Sequence, residues 1–188
     1  MALIEVFLPK IENKILAKVK DTVLIFSFAL LTGVFAKIKV EIGPVPITMQ
    51  TLAVLLSGSL LGAKRGALSQ ILYLLFGLGG IPWFSRGGGI SYVFSPTFGY
   101  IVGFVFCAFF VGFFVERGFG KSFSRLVLAM IFGEIFLYLF GIFWLAKFFS
   151  FKRALAVGLY PFLIGDFLKI FLASFICSFF GKLIKRKK

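Results

Sequence analysis

Residues 161–180 read PFLIGDFLKIFLASFICSFF, an apolar run interrupted by one acid, Asp166, and one base, Lys169. A run of about 20 apolar residues is long enough to cross the hydrocarbon of a membrane as an α-helix. Asp166 and Lys169 are three positions apart, so a helix places both side chains on one face. Because each charge alone would cost roughly 3 kcal/mol in lipid, the pair is expected to face the protein interior or a water-filled cavity. Two interpretations stay open: a pair that grips a ligand, and an ion pair that only locks helix packing.

The composition extends this pattern to the whole chain of 188 residues, of which 60% are hydrophobic. Soluble domains average about 45–50% apolar residues. The sequence therefore predicts an all-α membrane protein, a single domain over residues 1–188 that forms a compact bundle in the lipid bilayer. An interfacial segment, 1–21, is expected to precede the bundle, and a basic tail, 182–188, to follow it. Six transmembrane helices are predicted, at 22–38, 47–63, 66–82, 96–115, 125–147 and 155–181.

The formal net charge of +14 raises the question of a nucleic-acid partner. The basic residues, however, collect in the breaks between apolar runs and in the tail, where they set the orientation of a membrane protein. With both termini cytoplasmic, fourteen of the 21 Lys and Arg residues lie inside, six lie outside, and Lys169 lies within a span. This asymmetry predicts a multi-pass protein of the cell membrane with both termini cytoplasmic and no nucleic-acid partner. The tail is expected to meet anionic lipid headgroups.

Two of the predicted outer connections have unusual compositions. Residues 42–50 read IGPVPITMQ, in which two prolines forbid helix before a polar step enters the second span. Residues 77–89 read GLGGIPWFSRGGG, a glycine-rich and aromatic segment with one cation, Arg86. Long loops of this kind often act as lids over a site. A plain flexible connector is the alternative.

Catalytic chemistry finds little support in the residue types. The chain has no histidine, which removes Ser-His dyads, His-metal sites and the commonest general base. The carboxylates expected within the membrane, Glu134 and Asp166, are far apart in sequence and belong to no acid cluster suited to a divalent metal. No metal or other cofactor is therefore predicted. The role of Glu134 is left open between lining a cavity and packing.

The segment Gly120-Lys121-Ser122 ends like a phosphate-binding P-loop, but Val115 stands where that motif needs a glycine. ATP hydrolysis by that route is excluded.

Other polar or small side chains on the predicted spans have two interpretations, a purely structural one and a functional one. Single polar groups on a span usually form hydrogen bonds between helices, and those noted here are Gln50, Gln70, Tyr73 and Tyr138. Small residues permit close approach of another helix, which could belong to this chain or to a separate subunit. Such a stripe lies on the first span, at Ala29, Gly33 and Ala36.

Taken together and in order, several stretches resemble the BioY family. They are 43–56 (GPVPITMQTLAVLL), 66–84 (GALSQILYLLFGLGGIPWF), 95–100 (SPTFGY), 138–146 (YLFGIFWLA) and 161–169 (PFLIGDFLK). The match runs through nearly the whole chain. Ser95 and Phe98 depart from it, since they replace glycines in the family's Gly-Pro-Thr-Gly-Gly-Tyr stretch.

The resemblance implies a biotin-binding S component of an energy-coupling-factor (ECF) vitamin transporter, a six-helix protein without catalysis of its own. Such a subunit takes up biotin from outside a prokaryotic plasma membrane. It then works with a transmembrane coupling subunit and two ATPase subunits that power release inside. The family's ligand-binding pair maps onto Asp166 and Lys169. The stripe at Ala29, Gly33 and Ala36 resembles the surface by which S components dock on the coupling subunit.

The chemistry of the residues is compatible with biotin. A carboxylate at 166 can accept an N–H of the ureido ring, and a lysine at 169 can donate to its carbonyl oxygen. Arg86 is the candidate cation for the valerate carboxylate, and Tyr73 and Gln50 are further candidates for ligand contact. Three other functions stay open: the same role for another small vitamin or precursor such as dethiobiotin, an intramembrane enzyme with Asp166 as base or nucleophile, and a structural scaffold.

Overall fold

In the computed structural model of the protein, residues 3–6 and 12–185 are described, and this part of the chain is almost entirely helical. Its α-helices are α1 (Lys14–Phe35), α2 (Gln50–Leu61), α3 (Ala63–Leu78), α4 (Phe98–Glu116), α5 (Phe123–Leu145), α6 (Phe151–Gly158) and α7 (Leu163–Lys185). Short 3-10 helices lie at Leu3–Val6, Ile90–Phe94 and Phe119–Lys121. Two short strands, β1 (Lys39–Val40) and β2 (Ile47–Thr48), pair antiparallel in the connection between α1 and α2, with Lys39 opposite Thr48.

Helix α1 begins earlier than the predicted first span. The side chain of Asn13 accepts hydrogen bonds from the backbone N–H groups of Ile15 and Leu16, which caps the first turn. The helix then continues without a break, so residues 14–21 of the predicted interfacial segment belong to α1 and not to a separate helix. Residues 1, 2 and 7–11 of that segment lie outside the described residues. The same holds for 186–188 of the predicted tail, while 182–185 continue α7.

The predicted spans 47–63 and 66–82 correspond to a helical hairpin, α2 and α3, with a different boundary. Helix α2 has 12 residues, about 18 Å of helix, which is shorter than the roughly 30 Å hydrocarbon core. It begins late because the preceding residues form β2. Gly62 joins it to α3 with a φ of 82°, a conformation that favours glycine. A Cβ at Gly112 would lie 2.3 Å from the Ala63 nitrogen, so α4 packs directly against this turn.

The number of spanning helices is smaller than predicted when length and apolarity are applied to each helix of the described chain. Helices α4 and α5 are each long and apolar enough to cross a membrane. Helices α6 and α7 meet this condition only as a pair that is bent by 49°. The predicted span 155–181 is therefore broken, near Pro161, which disfavours an uninterrupted helix. The six-span count and the cytoplasmic position of both ends stay predictions.

Helix α2 lies at the centre of the packing and positions the site. Most of its residues are buried, and it contacts α1, α3, α4 and α7. The connections 36–49 and 79–97 meet at one end of the helices, held together by side-chain hydrogen bonds. A space between α2, α4, α5 and α7 therefore has helices for walls and these two connections for a cover.

Candidate functional site

The pair predicted from the 161–180 stretch is present near the start of α7. Lys169 Nζ lies 2.9 Å from Asp166 Oδ1, with both groups on one helix face. Asp166 is only 3% exposed and Lys169 only 7%. A charge pair so shielded from water is a strong electrostatic contact, but it needs its remaining hydrogen bonds satisfied.

Two further helices supply those hydrogen bonds. The hydroxyl of Thr51, in the first turn of α2, donates to Asp166 Oδ1 at 3.2 Å and accepts from Lys169 Nζ at 2.9 Å. The hydroxyl of Tyr138, on α5, donates to Asp166 Oδ2. The sequence identified Tyr138 only as a polar group on a span and missed Thr51. Its position one residue after Gln50, in the polar step that enters α2, was the available signal.

These four residues form the inner end of a cavity. Its walls are apolar, formed by Ile101, Phe104, Leu137 and Phe162, and Thr48, Gln50, Ser85, Tyr92 and Thr97 lie among the residues that line the rest. The free volume of the cavity is about 50 Å³. About three to five water molecules fit such a space, at 10–15 Å³ each. The cavity is therefore narrow in this structure.

Hydroxyl groups of the 79–97 connection form a second polar region of the cavity. Tyr92 OH accepts from Thr97 Oγ1 at 2.9 Å and lies 3.1 Å from Ser85 Oγ. Ser95 Oγ lies 3.1 Å from Thr97 Oγ1 and extends the chain of hydroxyls. The cavity thus has a charged inner end and a neutral, hydrogen-bonding outer side. The sequence did not predict this cluster.

The two departures from the family's glycine pattern are accommodated locally. Ser95 has a φ of −79°, which any residue adopts, and its carbonyl accepts from Trp144 Nε1 at 3.0 Å. The ring of Phe98 packs edge-on against the Trp144 ring, with centroids 5.3 Å apart. Neither position requires a glycine in this chain.

Gln50 and Tyr73 are brought together, but only Gln50 lines the cavity. Gln50 Nε2 donates to Tyr73 OH at 2.7 Å. Tyr73 is fully buried, its hydroxyl donates to the Trp83 carbonyl, and its own carbonyl accepts from Trp83 Nε1 at 2.9 Å. Tyr73 therefore connects α2 to the 79–97 connection. A direct ligand contact by either residue stays a prediction.

Arg86 lies away from the cavity lining and joins the 36–49 and 79–97 connections. Its guanidinium contacts Glu41 Oε2 at 2.5 Å and the carbonyls of Gly43 and Pro44 at 2.8 and 3.0 Å. The hydrogen bond from Arg86, aided by one from Lys39, lowers the pKa of Glu41 to about 2. The guanidinium is thus already paired with a carboxylate. Its predicted role as the cation for a ligand carboxylate would require it to exchange Glu41 for the ligand.

The small-residue stripe of α1 faces the interior of the chain. Ala29 and Ala36 have no exposed surface, and a Cβ added at Gly33 would meet the Trp83 side chain at 3.0 Å. The exposed face of α1 instead carries larger side chains such as Leu30. Docking of a separate subunit on the stripe stays a prediction, and it would have to reach residues that are covered here.

Known proteins with similar sequences come from several organisms. The family model described as "BioY family" matches residues 10–186. The "Probable biotin transporter BioY" of Pyrococcus horikoshii is 40% identical over 153 residues, 81% of this chain and 90% of that protein. The "Biotin transporter BioY" of Rhizobium etli is 39% identical over 166 residues, covering 78% and 88% of the two chains.

A solved structure is also similar over nearly the whole chain. It is the crystal structure of the S-component for biotin from an ECF-type ABC transporter. The superposition has a TM-score of 0.80 at 28% sequence identity and covers 92% of this chain and 95% of that one.

Proposed function

Because the chain belongs to the BioY family, we propose that it captures biotin as the substrate-binding S component of an ECF-type transporter. The observation that carries this proposal is the buried cluster of Asp166, Lys169 and Thr51 at the inner end of an apolar-walled cavity. The cluster offers both an acceptor and donors within one small volume. That arrangement suits a head group that itself carries donors beside an acceptor.

The ureido ring of biotin is such a head group. Its carbonyl oxygen accepts from Lys169 Nζ, and one of its N–H groups donates to a carboxylate oxygen of Asp166. An ionised carboxylate has about four lone-pair sites, and three are used by Thr51, Lys169 and Tyr138. The head group therefore finds complementary partners without leaving the buried charges unpaired, which is the condition for tight binding at such a pair.

The remaining parts of biotin match the rest of the cavity. The sulfur-containing ring is apolar and packs against Ile101, Phe104 and Leu137. The carboxylate chain extends toward the outer side, where the hydroxyls of Tyr92 and Thr97 provide neutral donors. Because these neutral donors bind the ligand carboxylate, Arg86 keeps its contact with Glu41 and continues to hold the two connections together.

The protein acts in this proposal as a binding subunit and not as an enzyme. Separate subunits, a transmembrane coupling protein and two ATPases, supply the energy for release of biotin on the inner side. The chain sits in the plasma membrane of a prokaryote, with the covered end of the cavity facing outward and both termini cytoplasmic. The basic residues assigned to the inner side by sequence support this orientation.

Calorimetric titration of the detergent-solubilised, ligand-free protein with biotin tests the proposal. We expect stoichiometric binding of biotin and none of riboflavin or thiamine, which lack the five-membered cyclic urea of biotin. Dethiobiotin keeps the ureido head but lacks the second ring, so we expect it to bind more weakly through the lost apolar contact. Folded protein that binds none of these ligands would refute the proposal, and stronger binding of dethiobiotin would identify the precursor as the substrate.

A further inference from the structure

A second space borders the cavity across the hydrogen bond between Tyr138 and Asp166. It is a groove between α5 and α7. Its free volume is about 390 Å³, compared with about 50 Å³ for the cavity. Tyr138 and Asp166 line both spaces. Apart from these two residues and Glu134, the groove is lined by aliphatic and aromatic side chains. Tyr138 is therefore part of a thin partition between the narrow cavity and a wider apolar groove.

Glu134 lies in this groove with an unused acceptor. The residue is only 7% exposed, and Oε1 is the buried side-chain polar atom without a hydrogen-bond partner among the described residues. It stands one helical turn before Tyr138 on α5, so the two side chains share a face. Long and aromatic side chains in helices lean back over the preceding turn. The ring of Tyr138 can thus bring its hydroxyl toward Glu134.

The small size of the cavity favours such a movement. A space for about three to five waters is too small for two fused rings with a carboxylate chain, so part of the wall has to yield. Thr51 and Lys169 are each tied to the Asp166 cluster by two hydrogen bonds. Tyr138 makes one side-chain hydrogen bond among those observed, and it has free volume behind it. Among the three side chains that bind Asp166, Tyr138 is therefore the one held by the fewest hydrogen bonds.

We propose that biotin displaces Tyr138 into the groove, where its hydroxyl leaves Asp166 and donates to Glu134 Oε1. A hydroxyl moved into an apolar groove without an acceptor would lose its hydrogen bond, which is costly in a water-poor site. Glu134 removes that cost. It is therefore a positioning residue: it acts through Tyr138, enlarges the cavity for the ligand and frees one acceptor site on Asp166. This inference rests on the proposed function.

Affinity measurements on five variants, one of them the Tyr138→Phe background, test the exchange. Glu134→Leu removes the acceptor, and we expect it to weaken biotin binding by about tenfold. Glu134→Gln keeps an oxygen in place and is expected to stay within about threefold of the wild type. In a Tyr138→Phe background, Glu134→Leu should cause no further loss of biotin affinity, because the hydroxyl that donates to Glu134 is absent. Ile135→Leu, a change in the same groove, is the matched control and should bind as the wild type does.

A spectroscopic readout separates this role from a purely structural one. With 13C at the tyrosine ring carbon that bears oxygen, the Tyr138 resonance is assigned by its disappearance in Tyr138→Phe. We expect saturating biotin to shift this resonance in the wild type and in Glu134→Gln. The same measurement decides the question if Glu134→Leu does not fold.

Three results would overturn the inference while leaving biotin capture in place. They are wild-type affinity in Glu134→Leu, an equal loss from that change with and without the Tyr138 hydroxyl, and a Tyr138 resonance that biotin leaves unmoved. The last result would mean that the outer connections yield instead. Failure of the wild type to bind biotin is a different outcome, which refutes the proposed function itself.

Discussion

Removing the charges at Asp166 and Lys169 singly and together distinguishes a ligand-binding pair from an ion pair that only holds helices. Lys169→Met leaves the Asp166 carboxylate buried at 3% exposure with only hydroxyl partners, and Asp166→Asn leaves the lysine ammonium without its counter-charge. Breaking a buried pair from one side costs about 3–5 kcal/mol of stability. The double variant removes both charges and keeps similar volumes. Its stability should be close to that of the wild type or higher.

Binding should respond differently from stability. Each single variant is expected to lose more than tenfold in biotin affinity, about 1.4 kcal/mol, because the ureido group loses a partner and leaves another unsatisfied. The double variant regains stability but not affinity, since neither ligand partner is restored.

The assays are thermal unfolding in detergent without ligand, and calorimetric titration with biotin at a temperature where all forms are folded. Thr51→Ser, which keeps the hydroxyl, is the matched control and should behave like the wild type in both. Wild-type affinity in the double variant would refute the ligand-binding role. A double variant as unstable as the singles would show that the pair stabilises the helices, contrary to the desolvation argument.

Three further predictions concern the cover, the packing and the surface of the chain. Arg86→Ala should weaken binding of biotin and of its uncharged amide to the same extent if Arg86 only joins the outer connections. A loss confined to biotin would instead assign it to the ligand carboxylate. Gly112→Ala should lower the thermal stability, about 1–3 kcal/mol for such overpacking, because its Cβ would lie 2.3 Å from the α3 backbone. Gly165→Ala, with nothing within 4 Å, is the control that should melt like the wild type. Gly33→Trp should impair biotin binding, because the new side chain would collide with Trp83 of the 79–97 connection. Leu30→Trp, on the exposed face of α1, should leave binding unchanged. Normal binding with lost transport in Gly33→Trp would instead favour the predicted docking role.

The central pair was predictable because its geometry is local. A spacing of three residues within a helical apolar run places Asp166 and Lys169 together whatever the rest of the chain does. The cost of charge in lipid then requires them to face inward. Both features depend on one continuous segment of sequence. The structure confirms them with a 2.9 Å contact between buried groups.

The partners of the pair were not predictable in the same way. Thr51 and Tyr138 are separated from Asp166 by 115 and 28 positions, and nothing in their local sequence shows which helix they will face. The partner of Arg86 was not predictable either. A lone cation in a loop near a predicted site suggested a ligand contact, which stays a prediction. In the structure Arg86 pairs with Glu41, a residue that the sequence analysis did not consider.

The sequence by itself determined that the chain is a helical membrane protein, that it has the pattern of the BioY family, and that an acid–base pair lies in its last long helix. Composition, helical periodicity and the transfer cost of charge act along the chain, so they can be evaluated without coordinates. Only the tertiary structure decided which side chains complete the pair, that α2 is too short to cross a membrane alone, and that Tyr138 separates a narrow cavity from a wider groove. These properties arise from contacts between distant segments, whose distances depend on how the helices pack.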